Sequence, residues 1–73
     1  MEKRMEAKDR LDAFEAMLAG VRAEHEDVQQ RMAQLRAQGK ERGAAYRQLM
    51  GRRMQLAELL ALYRAYGLIE REG

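Results

Sequence analysis

Apolar residues recur through the first half of the chain at alternating intervals of three and four positions. The pattern keeps its phase over eight positions, and all of them except His25 are apolar: Leu11, Phe14, Leu18, Val21, His25, Val28, Met32 and Leu35. Such spacing is the a/d pattern of a helix that packs along one stripe against another helix. Gly20 lies within the pattern without shifting its phase. The spacing therefore predicts one long helix over about residues 4–38.

Two glycines in a polar segment end this pattern. Gly39 suits the position just after a helix end, where a left-handed backbone favours glycine, and Gly43 follows four residues later. We therefore predict a loop over about residues 39–43. A loop this short places the following helix antiparallel beside the first.

A second helix is predicted over about residues 44–66, followed from Gly67 by a loose tail to residue 73. At roughly 100° per residue, its apolar side chains cover about two-thirds of the helix circumference. That arc is wider than the ~100° stripe of an ordinary surface helix, and one partner helix cannot cover it. We therefore predict that two hairpins dimerise into a four-helix bundle. The candidate interface residues are Leu49, Leu56, Leu59, Leu60, Tyr63 and Tyr66.

The composition supports an all-α fold and a single helical-hairpin domain over residues 1–73. Proline, cysteine and tryptophan are absent, and Val21, Val28 and Ile69 are the only valine or isoleucine residues. Strong helix formers dominate instead. A chain of this length rarely obtains more than about 3–5 kcal/mol from its own core. Since no disulfide can form, self-association is the expected additional support.

Basic residues concentrate around the predicted loop. Residues 31–57 carry seven Lys or Arg and one Glu, a net charge of +6, whereas residues 1–30 carry five Lys or Arg and eight Asp or Glu, a net charge of −3. The hairpin would gather a basic tip at the loop, formed by Arg36, Lys40, Arg42 and Arg47. Such a tip can attract phosphate or an acidic protein surface. The alternative is a solvated tip that Glu24, Glu26 and Asp27 of the facing helix partly neutralise.

Two polar residues fall where the pattern predicts packing. His25 occupies a seam position, either as a polar layer that fixes helix register or as a pH-sensitive group. Arg53 lies within the apolar arc of the second helix, within reach of Asp27 or Glu24, and we expect it to form an intramolecular or intersubunit ion pair that sets the alignment. The alternative is a functional anion site at Arg53. The positions three and four residues from His25 hold no good metal ligand, so no metal site is predicted.

The residue inventory argues against an enzyme. Without Ser, Thr or Cys the chain lacks the usual hydroxyl and thiol nucleophiles, and no phosphate-binding glycine motif is present. We expect no catalytic residues and no cofactor. No apolar run is long enough to span a membrane and no secretory signal is recognisable, so the expected location is cytoplasmic.

These observations predict a small interaction or regulatory protein that self-associates through its wide apolar helix face. A heterologous protein partner is the other occupant that this face could take. The alternative function is a nucleic-acid-binding accessory protein that uses the basic tip.

Overall fold

The computed structural model describes residues 6–69, which form two α-helices and no strand. Helix α1 spans Ala7–Ala37 and helix α2 spans Ala44–Ala65. The all-α prediction and the packing of two helices against each other are confirmed. The observed helices begin and end within three residues of the predicted bounds. Residues 4–5 of the predicted first helix and 70–73 of the predicted tail lie outside the described residues.

Both helices end in the same hydrogen-bonded turn. After α1, the amide of Gly39 donates to Arg36 O (3.0 Å) and the amide of Lys40 donates to Leu35 O (2.8 Å). After α2, Gly67 donates to Arg64 O (3.0 Å) and Leu68 to Tyr63 O (2.9 Å). This bonding is the Schellman motif, and both glycines have the left-handed φ of 73° that it requires.

The helix starts have no side-chain cap. Helix α1 follows Glu6, whose side chain makes no cap hydrogen bond, and helix α2 follows Gly43, which has no side chain to make one. The chain contains no Ser, Thr or Asn, which are the side chains that usually fill this position. Backbone turns and helix packing therefore set the loop without help from capping side chains.

The core is one stripe of side chains between the two helices. Among the described residues, the buried ones are Val28, Met32, Tyr46, Leu56, Leu60 and Tyr63. Val21, Leu35 and Leu49 are partly buried and pack against the cluster nearest the loop. The 3-4 seam predicted for α1 therefore does face α2.

Two contacts fix how the helices are aligned. The rings of Phe14 and Tyr63 meet edge to face with centroids 5.4 Å apart, and Arg52 binds Glu24 at 2.6 and 2.8 Å. The residue numbers add to 77 in the first pair and to 76 in the second. Leu11 thus lies opposite Tyr66, beyond the last residue of α2, which explains why this seam residue is exposed.

The hairpin is a single layer, and its smallest dimension is 14 Å. A single layer buries only the side chains that face the other helix. The remaining apolar arc of α2 is therefore left in solvent.

Candidate functional site

The six candidate interface residues divide into two groups. Leu56, Leu60 and Tyr63 are buried against α1 within the same chain, and Leu49 packs beside the core cluster. Leu59 is half-buried and Tyr66 is 74% exposed. Leu49 is half-buried like Leu59, so Tyr66 is the most accessible of the six in the single hairpin.

Exposed apolar side chains concentrate at the end of the hairpin away from the loop. We call residues 7–18 and 59–69 the open end. Five of the seven exposed large hydrophobic residues among residues 6–69 lie there. These five are Leu11, Met17, Leu62, Tyr66 and Leu68.

Four of the residues at this end form a shared surface, which we call the open-end patch: Met17, Leu59, Leu62 and Tyr66. Leu59, Leu62 and Tyr66 follow one another at steps of three and four, so they lie along one stripe of α2. Met17 of α1 lies at the same end of the hairpin, where the hydroxyl of Tyr63, the residue after Leu62, donates to its sulfur at 3.9 Å, and we include it in the patch.

The same stripe of α2 becomes polar towards the loop. Counting from Leu59 towards the loop by four and then three residues gives Gln55 and Arg52. Arg52 donates both to Glu24 and, at 3.3 Å, to Gln55 Oε1. One face of the hairpin thus changes along its length from an ion-paired polar surface to an apolar patch.

The basic tip is at the loop, and its four side chains are exposed. Arg36 donates to the hydroxyl of the buried Tyr46 at 2.9 Å, with its guanidinium carbon 6.0 Å from the ring centre. Arg47 reaches the carbonyl of Arg42 at 3.5 Å. Within the described part of the chain, none of these four cations forms an ion pair with a carboxylate.

Two acidic residues of α1, Asp27 and Glu24, pair with cations other than those of the tip. Asp27 binds Arg31, four residues along the same helix, at 2.9 Å. Glu24 crosses to Arg52 on α2. Hydrogen bonds from Arg52, together with its charge, lower the pKa of the Glu24 carboxyl from its ordinary value of 4.5, and the same contact raises the pKa of Arg52.

Within residues 6–69, Glu24 pairs with Arg52 and Asp27 with Arg31, so neither forms the intramolecular pair expected of Arg53; an intersubunit pair of Arg53 stays a prediction. Arg52 points to the flank of α2 where Glu24 lies, whereas Arg53 occupies the half-buried seam. His25 of α1 is half-buried as well, so both polar residues of the predicted seams are partly removed from solvent.

Three residues at the surface are not singled out by the sequence pattern. The sequence predicts nothing for Arg52 beyond its contribution to the charge of residues 31–57. Leu62 and Met17 lie off the seams that define the predicted core. The 3-4 stripe through Arg52, Gln55, Leu59 and Leu62 is the signal in the sequence that could have identified the two on α2.

Arg64, half-buried at the open end, has an Nε without a hydrogen-bond partner among residues 6–69.

The described residues offer no assembled metal site. Within residues 6–69, no group of three or more His, Asp or Glu side chains is close enough to hold an ion. Neither described helix is long and apolar enough to cross a membrane. The surfaces that remain as candidate sites are the open-end patch and the basic tip.

Comparison of the chain with protein-family models, curated proteins and solved structures gives no significant match.

Proposed function

We propose that this protein is a small non-enzymatic interaction module that associates with a second copy of itself through the open-end patch. The observation that carries the proposal is the exposure of large apolar side chains on one end of a single-layer hairpin. A cytoplasmic location, as expected from the sequence, is part of the same proposal.

The size of the core supports self-association. Only six of the described residues are buried, and chains of this length usually need a disulfide, a metal or a partner subunit to add stability. Disulfides are excluded because the chain has no cysteine. Burial of apolar surface between two copies would supply about 25 cal/mol for each Å² removed from water.

The exposure of the patch residues also supports an interface at this place. Tyr66 is 74% exposed and Leu62 is 51% exposed. An isolated exposed hydrophobic residue is ordinary, whereas a contiguous group of them marks an interaction surface. A tyrosine is well suited to an interface edge, because its ring can be buried while its hydroxyl reaches water.

The test is the solution mass, measured by light scattering on a sizing column at two protein concentrations. We expect the wild-type protein to show twice the 8.5 kDa mass of the chain. Leu62→Glu should give the single-chain mass with unchanged helicity, because Leu62 lies outside the hairpin core.

Met50→Glu is the matched control. Met50 is 37% exposed and lies about 120° around α2 from Leu62 and about 160° from Tyr66. This variant should remain a dimer. A wild-type mass of 8.5 kDa at both concentrations would refute self-association, and a dimeric Leu62→Glu would show that another surface is used.

A second candidate function is nucleic-acid binding by the basic tip. The observation in its favour is that Arg36, Lys40, Arg42 and Arg47 are exposed without a carboxylate ion pair among the described residues. Lysine and arginine side chains that neutralise phosphates bind nucleic acids with little dependence on sequence.

A mobility-shift assay with mixed-sequence DNA and RNA at two salt concentrations tests this function. Phosphate binding should weaken with a log-log salt slope of about −0.9 for each phosphate neutralised on duplex DNA. The double variant Arg42→Gln/Arg47→Gln should bind more weakly and reduce the slope. Absence of a shift at low salt would rule this function out.

A further inference from the structure

The apolar and the charged surfaces of the hairpin lie at opposite ends. Residues 36–47 contain the four cations of the basic tip and Glu41, for a net charge of +3. The open end contains three basic residues (Lys8, Arg10, Arg64) and three acidic ones (Asp9, Asp12, Glu15), for a net charge of zero. Two copies therefore repel each other most strongly when their tips are close.

This polarity distinguishes three ways in which two hairpins could pair. A parallel pair would match the two apolar patches but would also bring the basic tips together. A fully overlapped antiparallel pair would separate the tips but would set Leu62 against the polar loop end of the partner's α2, near Arg47 and Gln48. An antiparallel pair that overlaps only at the open ends matches the patches and keeps the tips apart.

We propose that two copies associate in this last arrangement, joined antiparallel through their open-end patches with the basic tips pointing away from each other. The proposal rests on the self-association proposed above and adds the orientation of the second copy. A two-fold axis passes close to Leu62, so that the same patch is used by both copies.

Two physical effects favour this orientation over the others. Leu62 would face its counterpart and Leu59 would face the Tyr66 of the other copy, so apolar area would be buried without removing the Glu24–Arg52 ion pair from water. The basic tips would be separated by several times the ~8 Å over which charges remain coupled at physiological salt.

The absence of cysteine allows the orientation to be measured with a single label. Glu41 is exposed in the loop, and Glu41→Cys would carry the only thiol of each chain. At 1.5 Å per helical residue, about 20 residues separate Leu62 from the loop, which places each tip ~30 Å from the axis. Spin labels at the two tips should then lie about 60 Å apart by pulsed electron resonance.

The competing arrangements give shorter distances. Full antiparallel overlap moves the axis to the middle of α2 and brings the labels to about 40 Å, and a parallel pair brings them below about 30 Å. Either distance, in a sample with dimeric mass, would overturn the orientation while leaving self-association intact. A labelled sample of single-chain mass would overturn both proposals together.

Cross-linking provides an independent measurement. Leu62→Cys should form a disulfide between copies under mild oxidation, because the residue lies beside the two-fold axis. Glu41→Cys should remain a free thiol at the same protein concentration. Efficient cross-linking through Glu41→Cys with a dimeric mass would contradict the separated tips.

Discussion

The two ends of the hairpin differ in how much apolar surface they leave in solvent. Near the loop, Val28, Met32 and Tyr46 are buried in one cluster. At the open end, Leu60 and Tyr63 are buried too, but Leu62 and Tyr66 lie more than half in solvent. The loop holds the helices together at one end, whereas α2 stops at Ala65 and leaves α1 without a facing helix at the other.

The helix-end motif is the same at both places. Gly39 and Gly67 have the same φ and the same pair of hydrogen bonds. The segments after the two glycines differ, since Gly39 leads through a short loop into α2 and Gly67 leads into Leu68 and Ile69. A Schellman motif therefore ends a helix without determining whether another helix packs back on it.

The largest expected effect contrasts a core leucine with an open-end leucine. Leu56 is 2% exposed, and Leu56→Asp places a carboxylate in the apolar core, at a cost of several kcal/mol. This cost is comparable with the entire ~3–5 kcal/mol available to such a small core. We expect loss of most helical circular dichroism at room temperature.

Leu62→Asp is the matched control, because the same change is made on the exposed stripe of the same helix. It should retain helicity while losing the dimeric mass. Full helicity in Leu56→Asp would show that the core has been assigned to the wrong residues.

A smaller effect on the free energy of unfolding distinguishes the glycines whose positive φ is needed at a helix end from a glycine within a helix. Gly39→Ala puts a side chain at a φ of 73° and should lower the free energy of unfolding by about 1–2 kcal/mol. Gly67→Ala has the same local strain but should cost less, because only the segment beyond α2 must change. Equal losses in urea denaturation would indicate that the turn after α2 contributes as much to folding as the loop.

Gly51→Ala should have the opposite sign. Gly51 lies within α2, and a methyl group there would meet no atom within 4 Å. Alanine restricts the unfolded chain and favours the helix, so we expect a gain of about 0.5–1 kcal/mol. That gain corresponds to a rise in Tm of roughly 4–8 °C per kcal/mol in a domain of this size. A fall in Tm would indicate that Gly51 faces a neighbour in the dimer.

The smallest effect concerns the ion pair that lies between the two ends. Because the pKa of Glu24 is lower in the folded hairpin, its carboxylate stabilises the fold above the ordinary value of 4.5, and this contribution is lost as the pH falls through the lowered pKa. Glu24→Gln should therefore lose less stability than the wild type as the solution is acidified from near neutrality to below that lowered pKa.

The measurement is thermal denaturation at several pH values in low salt. Since both partners are exposed, the difference should be small and should shrink as salt is added. Identical pH profiles for Glu24→Gln and the wild type would show that the pair does not contribute.

The helices are predictable from sequence because each has a local cause. The 3-4 spacing from Leu11 to Leu35 defines the face of α1, and the left-handed preference of glycine places the ends at Gly39 and Gly67. The division of α2 is less predictable, because its apolar arc is wider than one partner can cover. Periodicity alone does not distinguish Leu56, which α1 buries, from Tyr66, which it leaves exposed.

The spacing of apolar residues also does not show whether Arg52 or Arg53 is the partner of Glu24. Adjacent residues on a helix point about 100° apart, so the choice depends on the exact rotation of α2 against α1. That rotation is set by side-chain packing such as the Phe14–Tyr63 contact. The local sequence pattern therefore does not predict contacts that depend on packing between residues distant in sequence.

Amide hydrogen exchange at a low and a high protein concentration tests the difference between the two ends most directly. If the open end is the self-association surface, exchange at residues 59–65 should slow as the concentration rises. Exchange at residues 28–35 and 46–50 should change much less, because α1 and α2 already cover one another there. Equal exchange at both concentrations, or slowing confined to the loop end, would contradict the account.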